Sequence, residues 1–170
     1  MDAFLAIASK REVRSYDERP ISPDAERRIL EAGRVAGSSR NRQARRFVVV
    51  RDPGLVQQVA DAVYAPDNVR GAALVVAIVV GAKGPTSFDA GRAAQNMMLA
   101  AWNDGVTSSP NGVRDADAAT ALLGLAGEER PATVLTFGHP ATGRDPGSRP
   151  AAEWSAGARR RSLEEVVRRL

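Results

Sequence analysis

The chain has 170 residues, 44% hydrophobic and 26% charged, with a net charge of +4, an ordinary globular balance with enough length for one domain and a real core. It has no cysteine and a single histidine, His139, which excludes disulfides, thiolate chemistry and metal sites built on Cys or on paired His. No charged and apolar leader opens it and no apolar run approaches the roughly 18 residues of a membrane span, so a soluble cytoplasmic protein is expected, with no membrane partner.

In chain order, Asp2–Ser9 reads as a short helix with Phe4, Leu5 and Ile7 apolar. A basic cluster follows, Lys10-Arg11-Glu12-Val13-Arg14-Ser15-Tyr16. Ser22-Pro23-Asp24 is a helix start: Ser caps, Pro takes the first helical position and an acid sits in the first turn. Ala25, Ile29, Ala32 and Ala36 then recur at helical spacing. Residues 37–43 form a polar loop, and the β-branched run Phe47-Val48-Val49-Val50 is a strand. Asp52-Pro53 caps a second helix that runs to about Val63.

Ala72–Val80 is a continuous Val-rich run, the pattern of a buried central strand. A short turn over 81–86 leads to a long helix from about Ser87 to Asn103, with Ala90, Ala93, Ala94, Met97, Ala100 and Ala101 on one face. Residues 105–109 read as a weaker strand, and Pro110-Asn111-Gly112 as the turn after it. Asp115 caps a short helix ending at Gly124, and Ala132–Phe137 is a fourth strand. Residues 141–157, rich in Gly, Pro and Ser, read as loop. Ser162-Leu163-Glu164-Glu165 is a capping box. Two helical stretches before the first strand, then irregular alternation, suit an α+β sandwich with a mixed sheet flanked by helices.

The positive charge is almost all Arg; only Lys10 and Lys83 are lysine. The sequence pI is about 10.3, which raises the prior for an anionic partner. No aromatic-interleaved basic face is visible, and a solvated surface explains the scattered Arg better than nucleic acid does. The charge gathers at the two ends, at 10–14 and at Arg159-Arg160-Arg161. If folding unites these ends, several cations can converge on one phosphate, Arg through paired N–H donors and Lys as a point charge.

Five segments in order resemble the FMN-dependent nitroreductase family. Lys10–Tyr16 is similar to its opening Arg-Arg-Ser-x-Arg-x-Phe/Tyr, and Ala36–Phe47 to its Ala-Pro-Ser-x-x-Asn-x-Gln-Pro-Trp-x-Phe. Asp89–Ala101 with Gln95-Asn96 resembles its central helix. Leu122–Leu125 and Phe137–Pro140 resemble its late segments, and Arg159–Val167 its closing basic segment. Glu12 stands where the family has Ser, Gly37 where it has Pro, and Ala44-Arg45 where it has Pro-Trp.

The resemblance implies an α-β-α sandwich that binds FMN at a homodimer interface. Residues 1–140 would form the flavin-binding domain, and 141–170 an extended segment completing the phosphate site and the dimer. Lys10, Arg11, Arg159 and Arg161 would hold the phosphate. Arg14 would lie by the pyrimidine edge, where a cation stabilises developing negative charge. Ser38, Ser39 and Asn41 would reach the flavin from the other subunit. Pro110, Asn111 and Gly112 would pack at the ring, with a backbone N–H of Asn111 or Gly112 directed at N5. The implied activity is ping-pong hydride transfer from NAD(P)H to a nitroaromatic, quinone or similar small acceptor, with no catalytic side chain. Two other readings stand beside it: a flavin-binding storage or sensing protein without turnover, and a basic nucleic-acid-binding domain.

Overall fold

The computed structural model describes residues 1–81 and 83–170; part of the turn expected over 81–86 thus lies outside the described residues. Residues 11–144 form one compact unit, and residues 1–10 with 145–170 a second.

The larger unit is built around a strand that no single helix could cover. β2 (Leu74–Val80) is buried at six of its seven residues, so each of its faces needs a layer of helices. Its neighbours are β1 (Arg45–Val50) and β4 (Arg130–Gly138), and β3 (Thr107–Asn111) pairs with the far side of β4, giving the order β1-β2-β4-β3. Side chains alternate across β2. Val76 and Ile78 pack with Ile29, Met97 and Phe137 on one face, where α2 (Pro23–Arg34) and α5 (Thr86–Asn103) lie. Val75 and Ala77 pack with Val59, Val69 and Val134 on the other, under α3 (Pro53–Asp61), α4 (Pro66–Arg70) and α6 (Ala116–Leu122). The result is the expected α-β-α sandwich.

The helix starts follow the sequence. Ser22 Oγ accepts the Ala25 N–H at 3.2 Å, an Asp52 carboxylate oxygen the Leu55 N–H at 2.7 Å and one of Asp115 the Ala118 N–H at 2.9 Å. Small residues let α2 and α5 approach closely. A Cβ on Gly33 would stand 2.8 Å from the Met97 sulfur and 2.8 Å from the Phe47 ring.

Three expectations are corrected. The four strands pair only antiparallel; the parallel element is a lone bridge between Glu12 and Ser108. Pro110 and Asn111 belong to β3 and not to a turn. Because β3 is the sheet edge, a residue lacking an N–H can stand there facing away from the ladder. Residues 141–157 are also not all loop.

In the smaller unit, Pro146–Ser148 is a 3-10 turn and Ala151–Ala156 a helix, α7. The Trp154 indole donates to the Pro146 carbonyl at 3.0 Å, and the Arg149 guanidinium lies 4.9 Å from the Trp154 ring centre. α1 (Ala3–Ser9), capped by Asp2, packs on α7. Residues 163–166 form α8, started by the expected capping box between Ser162 and Glu165.

Gly33→Val should lower stability by about 1–3 kcal/mol, because added carbons overpack the α2–α5 contact. Chemical denaturation measures it, and an unchanged midpoint would refute this account of the contact.

Candidate functional site

The segment after Lys10 is fixed to the sheet by its backbone. Glu12 bridges Ser108, and the Val13 N–H donates to the Ser108 carbonyl at 3.1 Å. Tyr16 bridges Pro140, the Ala141 N–H donates to Ser15 at 3.2 Å and the Asp17 N–H to His139 at 2.9 Å. Arg11 and Arg14 therefore ride on a strip laid from β3 to the end of β4. Arg14 is exposed.

Tyr16 anchors this strip. Its ring lies over Gly138, where a Cβ would come within 2.6 Å of it. Its hydroxyl meets Thr136 Oγ1 at 3.0 Å and the Thr136 carbonyl at 3.3 Å. Burial pushes the Tyr16 phenol from 10.0 up to about 12, against the lowering effect of the Thr136 hydrogen bond; Glu12 raises it further and Arg14 lowers it. At neutral pH this phenol is a fixed donor and not an acid–base group.

Thr136 continues the network. Its Oγ1 donates to the Ser109 carbonyl at 3.1 Å and accepts from Asn111 Nδ2 at 3.3 Å. Asn111 Nδ2 also meets the carbonyls of Ser109 at 3.2 Å and Val134 at 3.1 Å, while its Oδ1 accepts from Asn68 at 2.9 Å. The Asn111 side chain is thus spent on the protein, and its backbone carbonyl accepts the Thr133 hydroxyl at 3.0 Å. Gly112 is exposed, beside the ring of Tyr64, and its carbonyl accepts the Tyr64 N–H at 3.1 Å.

Ser38, Ser39 and Asn41 sit elsewhere. Ser39 donates its N–H to Asp89, in the first turn of α5, at 3.2 Å. β3 begins at the other end of that helix, where the Val106 N–H donates to Ala101 at 2.9 Å. An 18-residue helix is about 27 Å long. The Ser38–Asn41 loop and the Arg11–Arg14 strip therefore stand toward opposite ends of α5. Lys10, Arg159 and Arg161 belong to the smaller unit: Lys10 caps the C-terminus of α1, and Arg159 and Arg161 lie between α7 and α8.

Sequence reasoning gave no role to Tyr16, Asn68, Asp89 or Ser108. Ser108 Oγ is buried with no hydrogen-bond partner among the described residues. Arg45, at the family's Trp position, donates Nη2 to the carbonyls of Ala36, Gly33 and Arg34 and so caps the end of α2. Nothing in the local sequence separates such inward-turned polar residues from solvated ones.

A groove of about 550 Å³ lies between α2 and β1, away from the Arg11–Arg14 strip. Its floor is apolar, and two ion pairs, Arg34 with Glu31 and Arg51 with Glu26, stand on its rim. No cluster that could hold a metal occurs among the described residues, nor any helix long and apolar enough to cross a membrane.

The model of the nitroreductase family matches residues 7–79 and 67–139. The chain belongs to the nitroreductase family. It is 28% identical over 154 residues to a putative NADH dehydrogenase/NAD(P)H nitroreductase of Archaeoglobus fulgidus, covering 85% of this chain and 88% of that protein. It is 35% identical over 78 residues to an NADH dehydrogenase of Thermus thermophilus, covering 46% of this chain and 38% of that one. The fold is shared with a nitroreductase family protein of Clostridium difficile 630, with a TM-score of 0.81 at 19% identity over 99% of this chain and 98% of that one. An FMN-dependent nitroreductase of Clostridium difficile R20291 gives 0.76 at 20% identity, over 85% and 90%.

The residues of this nitroreductase-family chain are compatible with FMN. A strip pinned by backbone bonds carries Arg11 and Arg14, a buried Ser108 hydroxyl beside it lacks a partner among the described residues, and the Ser38–Gln43 loop is held in strained backbone: Arg40, Asn41 and Gln43 each have φ 52°. Such strain at non-glycine residues recurs at ligand sites.

The raised Tyr16 phenol gives a pH signature. The unfolded chain ionises this phenol first, so its contribution is whole below pH 10.0, falls as pH rises to about 12, and amounts to about 3 kcal/mol over that window. Tyr16→Phe should abolish that fall, seen by denaturation at several pH values, and cost about 1 kcal/mol at neutral pH for the lost hydrogen bond. Asn111→Ala should cost about 1–3 kcal/mol without any ligand present, since it removes the acceptor of half-buried Asn68 and the buried donor shared by the Ser109 and Val134 carbonyls; an unchanged unfolding midpoint would return Asn111 to a purely ligand-facing role.

Proposed function

We propose that this member of the nitroreductase family is an FMN-dependent, homodimeric oxidoreductase. It takes hydride from NAD(P)H and passes it to a small acceptor such as a nitroaromatic or a quinone. FMN, when bound, supplies the hydride chemistry; the chain binds, orients and tunes.

The observation that carries this reading is the strip from Arg11 to Tyr16, fixed to β3 by the Glu12–Ser108 bridge and to β4 by Tyr16. It gives Arg11 and Arg14 a rigid base on the strand that carries Pro110 and Asn111. On this reading Arg11, Lys10, Arg159 and Arg161 hold the phosphate, and residues 141–170 complete that site and the dimer. Arg14 faces the pyrimidine edge and favours the negative charge that gathers there on reduction. A backbone N–H of Asn111 or Gly112 orients the ring at N5. The names of the relatives in Archaeoglobus fulgidus and Clostridium difficile R20291 support the coenzyme and the flavin respectively.

The homodimer has a geometric argument of its own. Ser38, Ser39 and Asn41 stand toward the far end of α5 from Arg14, so a second copy is the natural source of that loop for each flavin. No side chain is required as acid or base, because hydride enters and leaves through the cofactor.

The protein should carry a flavin spectrum that NADH or NADPH bleaches without oxygen. A flavin band that neither coenzyme bleaches would instead indicate a storage or sensing protein, and a colourless protein that takes up no FMN would end the reading. Arg14→Ala should lower the flavin potential by about 30 mV, a tenfold shift in the equilibrium, and slow reduction by the coenzyme; spectroelectrochemical titration reads it.

A further inference from the structure

The first turn of α5 holds a carboxylate that the flavin reading does not use. Asp89 is 8% exposed. Its Oδ2 accepts the Ser39 N–H at 3.2 Å, and its Oδ1 is buried with no hydrogen-bond partner among the described residues. Burying a carboxylate is unfavourable unless its oxygens are used. A place in the first turn of an 18-residue helix offsets part of this, but an exposed acid there would gain the same benefit without the burial. What burial adds is the bond to Ser39.

That bond ties down a loop which local preference does not hold. Arg40, Asn41 and Gln43 each have φ 52°, backbone that Asn tolerates and Arg and Gln rarely adopt. The loop's other ties are local: the Asn41 N–H to Ser38 at 3.0 Å, the Arg42 N–H to Ser39 at 3.1 Å and the Gln43 N–H to Ser38 Oγ at 2.9 Å. These close the turn on itself. Asp89 ties it to α5. One turn further along α5, the Arg92 guanidinium lies against Gly37, so the same helix meets the loop at its entry as well.

We infer that Asp89 is a positioning residue, which through the Ser39 N–H holds the Ser38–Asn41 loop in the left-handed form needed to meet the flavin. The flavin half of this statement rests on the function proposed above; the loop half stands on the geometry alone. Because the tie needs an acceptor and not a charge, Asn at this position can replace Asp and Ala cannot.

Amide hydrogen exchange and FMN titration on the full chain test both halves. Asp89→Ala should speed exchange of the Ser39 amide about tenfold, the effect of losing one hydrogen bond to a carboxylate, and weaken FMN binding by a similar factor. Asp89→Asn, whose carbonyl still accepts the Ser39 N–H, should keep both within about threefold of wild type. A general loosening of the fold would instead speed exchange through α5 and the sheet. Should Asp89→Ala fail to fold, Ser39→Pro removes the same N–H. The extended backbone of Ser38, φ −135° and ψ 156°, admits a following Pro, and faster exchange of the Asn41 and Arg42 amides, which close the turn, then reads the loosened loop. Unchanged Ser39 exchange in Asp89→Ala overturns the inference, as does an Asp89→Asn variant as impaired as Asp89→Ala. Faster exchange with unaltered FMN affinity overturns the flavin half. A wild-type protein that takes up no FMN removes the proposed function and the flavin half together, while the exchange contrast between the two variants still decides the loop half.

Discussion

β2 has no polar face to offer to water, and the placement of the larger unit follows from that. Six buried residues in a strand of seven require apolar cover on both sides, and the chain supplies it with α2 and α5 on one face and α3, α4 and α6 on the other. The helix layer over the first face is thin. Gly33 lets the Met97 side chain and the Phe47 ring close in, and alanines along α5 keep that helix near the sheet. α5 thereby becomes a rigid rod, with the Ser38–Asn41 loop referred to one end and the start of β3 to the other.

On that frame the candidate site divides into two kinds of polar residue. Arg11 and Arg14 are carried by a strip that backbone bonds and the Tyr16 hydroxyl fix to the sheet, so the backbone beneath their guanidinium groups is held in place. Asn111, Thr136 and Tyr16 are the reverse: they look chemically capable, but their hydrogen-bonding capacity is taken up by one another and by Ser109, Val134 and Asn68. A satisfied buried network of this kind makes the end of β3 stiff, which suits a site expected to orient a flat ring by a main-chain donor.

Arg45 shows how a departure from a family pattern can be absorbed. It stands where relatives of the resembled pattern carry Trp, and it turns back to cap the carbonyls at the end of α2. The end of α2 is therefore braced by a cation, though Arg45 Nε and Nη1 are buried without a hydrogen-bond partner among the described residues.

Apolar periodicity, caps and β-branched runs were enough to read the principal elements, the sandwich and the central place of β2, because each depends on spacing along the chain. The capping box at Ser162 was legible for the same reason. The residues after β2's helix were not: Pro110 and Asn111 look like a turn in any linear reading, and their place in a strand follows from β3 having a neighbour on one side. The same limit hid Asp89, which a sequence presents as one more acid in a helix's first turn. Whether such a group faces water or a loop fifty residues earlier depends on which helices pack together, and that is a property of the folded core and not of the neighbours in the chain.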